Sequence, residues 1–99
     1  MRHATSLLSV DALHEALVHL PGWQVQNNAL AREYAAQSYL DGLARLNVIA
    51  QLSEDADHHP ELILAWGKLT IRFWTHTVQG ITALDLELAR QVETILQQP

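Results

Sequence analysis

Ala29-Leu30-Ala31-Arg32-Glu33-Tyr34-Ala35-Ala36-Gln37-Ser38, with the run that continues to Leu52, decides the fold. Its alanines, leucines, Arg32 and Glu33 favour helix throughout. On propensity the stretch reads as one long helix. Two local signals oppose that. Asn27-Asn28, just before it, suits a hairpin turn, because Asn tolerates positive φ. Gln37-Ser38 interrupts the pattern, and Ser38 with Asp41 three residues on resembles a capping box. These signals divide the stretch into a strand near Ala29 to Ala35 and a helix from Ser38. Tyr39, Leu43, Leu46 and Ala50 then share one helical face, with Leu40 and Leu52 beside it. That helix should end near Glu54 to Asp57. On the residues alone both readings stay open.

Upstream, Ser9 can cap a helix over Val10 to Leu20, with Val10, Leu13, Leu17 and Leu20 as its apolar stripe. Pro21-Gly22 ends it. Trp23-Gln24-Val25-Gln26 alternates like a half-buried strand. Downstream, Leu62-Ile63-Leu64-Ala65-Trp66 is a short apolar run after Pro60, and Gly67-Lys68 turns it. In Leu69 to Thr75 the residues Leu69, Ile71 and Phe73 face one way, and Thr70, Arg72 and Trp74 the other. Thr82-Ala83-Leu84-Asp85 opens a last helix to about Gln97, whose buried stripe is Leu84, Leu88, Val92, Ile95 and Leu96. The order is helix, two strands, helix, two strands, helix. Hairpin connections imply antiparallel pairs, with helices on one face of a small sheet.

The 99 residues make one domain, 1–99, with 48% hydrophobic residues, enough for a modest core. Six Lys and Arg against eleven Asp and Glu give a net charge of -5, which speaks against a phosphate-neutralising surface and so against nucleic acid. There is no cysteine, hence no disulfide, thiol nucleophile or thiolate metal site. No apolar run reaches the ~18 residues of a membrane span. The N-terminus lacks the apolar core of a signal peptide. A soluble, cytoplasmic domain is the expectation, with no membrane partner.

Chemistry concentrates in Glu54-Asp55-Ala56-Asp57-His58-His59-Pro60, with His76 beyond the next hairpin. Histidine, with an ordinary pKa of about 6.5, can give or take a proton near neutrality. Acidic neighbours hold more of it protonated. Taken alone, His58-His59 reads more plainly as two solvated loop histidines. A metal site would need further ligands, which Asp57 and His76 could supply, but no HExxH or i, i+4 histidine pair is present. His3, His14 and His19 fall on solvated positions. Asp85 occupies a capping position, and Glu54 and Asp55 a solvated helix end. Trp66 suits either core or a stacking wall. Trp74, on the polar face of its strand, is either partly exposed or covered by another subunit.

As a set, Glu54, His58-His59-Pro60, Trp66, His76 and Asp85 resemble the signature of the pterin-4a-carbinolamine dehydratases in residue type and spacing. Asp57-His58-His59-Pro60-Glu61 and Thr75-His76 carry the resemblance, with Gly80-Ile81-Thr82 and Asp85 behind them. It is strong over residues 54 to 89 and weak before Ser38. It implies an α+β fold, a four-stranded antiparallel sheet with three helices on one face, and so a strand at Ala29 to Ala35. Where many relatives carry an aromatic residue after Pro60-Glu61, this chain has Leu62. Where many carry two glycines before the last helix, Gln79 precedes Gly80.

The implied activity is dehydration of 4a-hydroxytetrahydrobiopterin to quinonoid dihydropterin and water, which recycles the cofactor of aromatic amino acid hydroxylases. The hydroxyl must leave as water while a neighbouring ring nitrogen loses its proton, and imidazole suits both transfers near pH 7. By resemblance His58, His59 and His76 form the catalytic and pterin-binding cluster. His58 and His76 would be the general acids, and His59 would mainly bind and orient the pterin. Pro60, Trp66, Thr75, Thr77 and Val78 would shape the pocket. Glu54 would tune a histidine and Asp85 would fix the corner. The pterin is substrate, so no cofactor and no metal are implied. The implied partners are a homodimer or homotetramer and a functional link to a hydroxylase. Alternatives are a non-catalytic interaction or assembly protein on the same scaffold, a dimerisation cofactor or assembly chaperone, and a small metal-binding domain.

Overall fold

The structure, a computed structural model, describes residues 6–99. The order is α1 (Val10–Val18), β1 (Trp23–Gln26), β2 (Ala29–Ala35), α2 (Tyr39–Ala56), β3 (Glu61–Ala65), β4 (Lys68–Phe73) and α3 (Ala83–Leu96). The strands form one antiparallel sheet in the order β1-β2-β4-β3. The expected α+β architecture is therefore observed. His3 lies outside the described residues.

The deciding stretch divides as the turn signals indicate. Asn27 (φ 49°) and Asn28 (φ 65°) are both left-handed, the backbone of a two-residue hairpin loop. Gln26 then pairs with Ala29 and Trp23 with Arg32. β2 is central, bonded to β1 on one side and β4 on the other, and its Ala29, Leu30 and Ala31 are buried. Helix propensities differ by only about 0.7 kcal/mol per ordinary residue. Two hydrogen-bonded ladders and the burial they bring outweigh that preference.

Trp23, Leu30, Leu69, Ile71 and Phe73 join Ile49 of α2 and Leu86, Leu88, Ala89, Val92 and Leu96 of α3 in one core. Leu13, Ala16 and Leu17 bring α1 to it. The α2 face differs from the expected one. Its buried residues are Gly42, Ile49 and Ser53, whereas Tyr39 and Leu40 are exposed. Small side chains set this face. A Cβ at Gly42 would come within 2.8 Å of Leu64 Cδ1. Ser53 turns its hydroxyl back onto the Ile49 carbonyl, 2.8 Å away. α1 also stops earlier than expected, at Val18, and Val10 is exposed. The β3–β4 turn is Trp66-Gly67 instead of Gly67-Lys68, because Ala65 pairs with Lys68.

One ion pair ties the sheet to α3. Arg32 Nε donates to Glu93 Oε1 at 2.9 Å and Nη2 to Oε2 at 3.2 Å, while the Trp23 indole N–H donates to Oε1 at 2.8 Å. Burial pushes the Glu93 pKa up, but hydrogen bonds from Arg32, Gln97 and Trp23 and the Arg32 charge outweigh it, holding the carboxyl below its ordinary 4.5. A depressed folded pKa adds stability that is present above the unfolded value and lost as pH falls through the folded one. Glu93→Gln is therefore expected to lower the melting temperature at pH 7, by the about 1.5–3 kcal/mol of hydrogen bonds to a charged group. The gap to wild type should narrow as melts are taken below pH 4.5. A gap independent of pH would refute the assignment.

Candidate active site

The end of α2 builds the first wall. Asp57 is left-handed (φ 53°), its N–H bonds the Glu54 carbonyl at 3.0 Å, and the His58 N–H bonds the Ser53 carbonyl at 3.0 Å. This pair of bonds is the Schellman closure, which reverses the chain after a helix. It folds His58 inward, where the ring is 7% exposed and lies nearly parallel to Phe73, with centroids 6.1 Å apart and planes at 6°. His59, the next residue, faces out. Pro60 then leads into β3.

Behind His58 stands Asp85, fully buried in the first turn of α3. Its Oδ1 is 2.6 Å from His58 Nε2. Its Oδ2 accepts the Thr82 N–H at 2.8 Å and the Thr75 hydroxyl at 2.9 Å. The Thr82 hydroxyl sits 2.8 Å from that of Thr75. Thr75 has one proton and gives it to Asp85, so Thr82 donates to Thr75. Among the described residues no buried side-chain nitrogen or oxygen lacks a partner. A carboxylate oxygen accepts and does not donate, so Nε2 of His58 carries hydrogen. Nε2 is therefore taken by Asp85, and Nδ1 is the ring nitrogen left for the cavity that His58 lines. His59 repeats the pattern in solvent, with Nε2 2.7 Å from Glu54 Oε1.

The second wall follows β4. Thr75 forms an isolated bridge with Gly80, its N–H reaching the Gly80 carbonyl at 2.8 Å. The loop between them carries His76. Gln79 adopts φ 54°, a backbone that suits glycine better. Its side-chain amide donates to the His76 carbonyl at 2.9 Å, which offsets part of that cost. The His76 ring lies against Trp74, with centroids 4.8 Å apart.

Asp57, His58, His59, Thr75, His76 and Thr77 line a cavity of about 230 Å³ between these walls. Helix end and strand end thus bring together three histidines that are 17 or more positions apart in the pairs joining His76 to His58 and His59. Glu54 reaches the cavity through His59, and Asp85 stands behind His58. Pro60 and Val78 flank it without lining it. Trp66 does not come here. It lies 76% exposed in the β3–β4 turn, at the far end of β3 from Pro60. A five-residue strand at about 3.3 Å per residue makes that separation roughly 16 Å. The sequence offered Asp57 only as a candidate metal ligand, and it gave Phe73 and Trp74 no role as ring supports. Asp57 was legible as a left-handed helix end, which Asp tolerates. No three or more His, Asp or Glu side chains among the described residues are placed to hold a metal ion.

A family model described as pterin 4 alpha carbinolamine dehydratase matches residues 6–95. Relatives provisionally named pterin-4-alpha-carbinolamine dehydratase include one from Mycolicibacterium smegmatis, 35% identical, covering 92% of this chain and 97% of that protein. Another, from Mycobacteroides abscessus, is 37% identical over 90% of this chain and 95% of its own. Among solved structures, a transcriptional coactivator/pterin dehydratase from Brucella melitensis superposes with TM-score 0.87 at 29% identity, covering 92% of this chain and 99% of that one. A pterin dehydratase-like RuBisCO assembly factor of the alpha-carboxysome shares the fold, with TM-score 0.63 at 22% identity over 78% of this chain and 89% of its own.

Proposed function

The chain belongs to the pterin-4a-carbinolamine dehydratase family, and we propose that it dehydrates 4a-hydroxytetrahydrobiopterin to quinonoid dihydropterin and water. The observation that carries this reading is the cavity with three imidazoles on its walls, two of them tied at Nε2 to a carboxylate. A ring fixed at one nitrogen presents the other in a set direction, which general acid–base catalysis requires. His58 or His76 protonates the 4a hydroxyl, which leaves as water. A neutral imidazole takes the proton from the neighbouring ring nitrogen as the C=N bond forms. One proton is given and one taken, so the protein's net proton count is unchanged, and exchange with solvent resets the two imidazoles. Histidines on opposite walls serve hydroxyls on opposite faces of the pterin. No metal or redox cofactor enters this scheme, since the pterin is the substrate.

At about 230 Å³ the cavity is smaller than the roughly 300–1,000 Å³ of typical ligand pockets. It would hold the reacting edge of the ring system and leave the pterin side chain outside. His59, more than half exposed, would bind and orient, with Glu54 holding it. His59→Ala is expected to raise KM with a smaller change in kcat. Equal losses in kcat and kcat/KM would instead place His59 in the transition state. Recycling of a hydroxylase cofactor in the cytoplasm by a homodimer or homotetramer completes the proposal. No helix among the described residues is long and apolar enough to cross a membrane.

The second reading, a non-catalytic interaction or assembly protein, draws on exposed apolar side chains along α2, Leu40 at 72% and Val48 at 52%. The deciding experiment follows dehydration of 4a-hydroxytetrahydropterin by absorbance, with and without purified protein. Acceleration over the spontaneous reaction is expected. None, from a protein shown to be folded, would discard the dehydratase and leave the interaction reading.

A further inference from the structure

The sheet face opposite the helices carries a ladder of which the proposed reaction uses only His76. Arg72, Trp74 and His76 follow one another at alternate positions. The Arg72 guanidinium lies 5.2 Å from the centre of the Trp74 ring, within the range of a cation–π contact. The His76 imidazole lies 4.8 Å from the Trp74 ring, tilted by 39°. Arg72 is itself held, by Glu61 at 2.9 Å and by the Gln26 carbonyl at 3.3 Å. Under this ladder the sheet is made of small residues. Ala31 pairs with Arg72, and the same register carries Ala29 to the level of Trp74. Both alanines are buried, on a face that no helix among the described residues covers. Their short side chains leave room for the guanidinium and the indole to lie down on the sheet.

Among the described residues no carboxylate bonds the His76 ring, whereas Asp85 bonds that of His58. The His76 side chain is exposed, and the loop that bears it turns through the left-handed Gln79. An exposed imidazole on such a loop would sample several staggered rotamers. We infer that Trp74 is the positioning residue of His76. The indole supplies the surface that selects one orientation of the imidazole, and Arg72 fixes the indole. Asp85 does the same for His58 by a hydrogen bond, so the two proposed acids are oriented by different physics. This inference rests on the dehydratase reading for its kinetic consequence, but the ring contact itself is a property of the folded chain.

The test compares Trp74→Leu, which keeps bulk without a ring, with Trp74→Phe, which keeps a ring. His76→Ala identifies the His76 resonances. In wild type the indole ring current should shift the His76 ring protons upfield. Trp74→Leu should return them to the position of an exposed histidine, and Trp74→Phe should restore part of the shift. In the dehydration assay Trp74→Leu should lower kcat by about 10- to 10²-fold, the scale of a misplaced catalytic group, with KM little changed. Trp74→Phe should recover most of that loss. His76 resonances unmoved by Trp74→Leu would overturn the inference, as would an undiminished kcat in an enzyme that His76→Ala disables. A wild-type protein without activity would sink the dehydratase reading, while the resonance comparison would still decide the contact. Should Trp74→Leu not fold, Trp74→Phe and Arg72→Met carry the comparison, since freeing the indole must also broaden or shift the His76 signals.

Discussion

His76→Ala is expected to lower kcat for 4a-carbinolamine dehydration by about 10²–10⁴-fold, the usual worth of one positioned proton transfer. The side chain is exposed and, among the described residues, bonds no other side chain by hydrogen, so its removal should leave the melting temperature near wild type. Loss of rate without loss of fold is what separates a chemical role from a structural one. His58→Ala should cost a similar factor in rate, but with a loss of stability as well. That ring is buried, stacked on Phe73 and bonded to Asp85. If the two histidines serve opposite faces of the pterin, the single variants should slow different 4a epimers. Stopped-flow assays on each epimer, beside thermal melts, check all of this. Unchanged kinetics in His76→Ala would end its assignment as an acid.

Asp85→Ala is expected to produce the largest stability loss in the chain. It strands the Thr82 N–H, the Thr75 hydroxyl and His58 Nε2–H among buried residues. A buried polar group left without its partner costs about 1–3 kcal/mol. Three such groups together threaten a domain whose total stability is about 5–15 kcal/mol. At about 4–8 °C per kcal/mol for a chain of this size, the melting temperature should fall by more than roughly 10 °C. Asp85→Asn is milder in shape and more telling in chemistry. Its amide must aim a donor either at the Thr82 N–H or at His58. In the second case Nε2 becomes an acceptor and the ring proton moves to Nδ1, the nitrogen left for the cavity. The variant should fold and yet lose most of the rate. Full activity in folded Asp85→Asn would show that the His58 tautomer is immaterial.

The motif around His58 and the hairpin of β3 and β4 were legible because their information is local. Alternation with period two, a turn pair and a proline are each read from a few neighbours. β2 was not legible in this way. Ala29 to Ala35 has a helical composition, and only the ladders on both sides make it a strand. The face of α2 was legible only in part. Leu46 and Leu52 pack on the core as a hydrophobic stripe predicts, but Gly42 and Ser53 are buried there because they are small, which no such stripe reveals. Trp66 carried the right residue type in the wrong place. Its distance from the histidines follows from the strand register, which no local pattern contains.

Composition and local pattern, taken alone, determined the hairpin turn at Asn27-Asn28, the β3–β4 hairpin and the cap that opens α3. Each of these depends on backbone preferences within a few residues, so a linear reading suffices. The tertiary structure alone decided which nitrogen of His58 Asp85 takes, that Asp85 joins Thr75, Thr82 and His58 in one buried network, and that His76 rests on Trp74. Those contacts link the end of α2, the end of β4 and the start of α3. They exist only once the strand pairings set the register and the core sets the distance between helix and sheet.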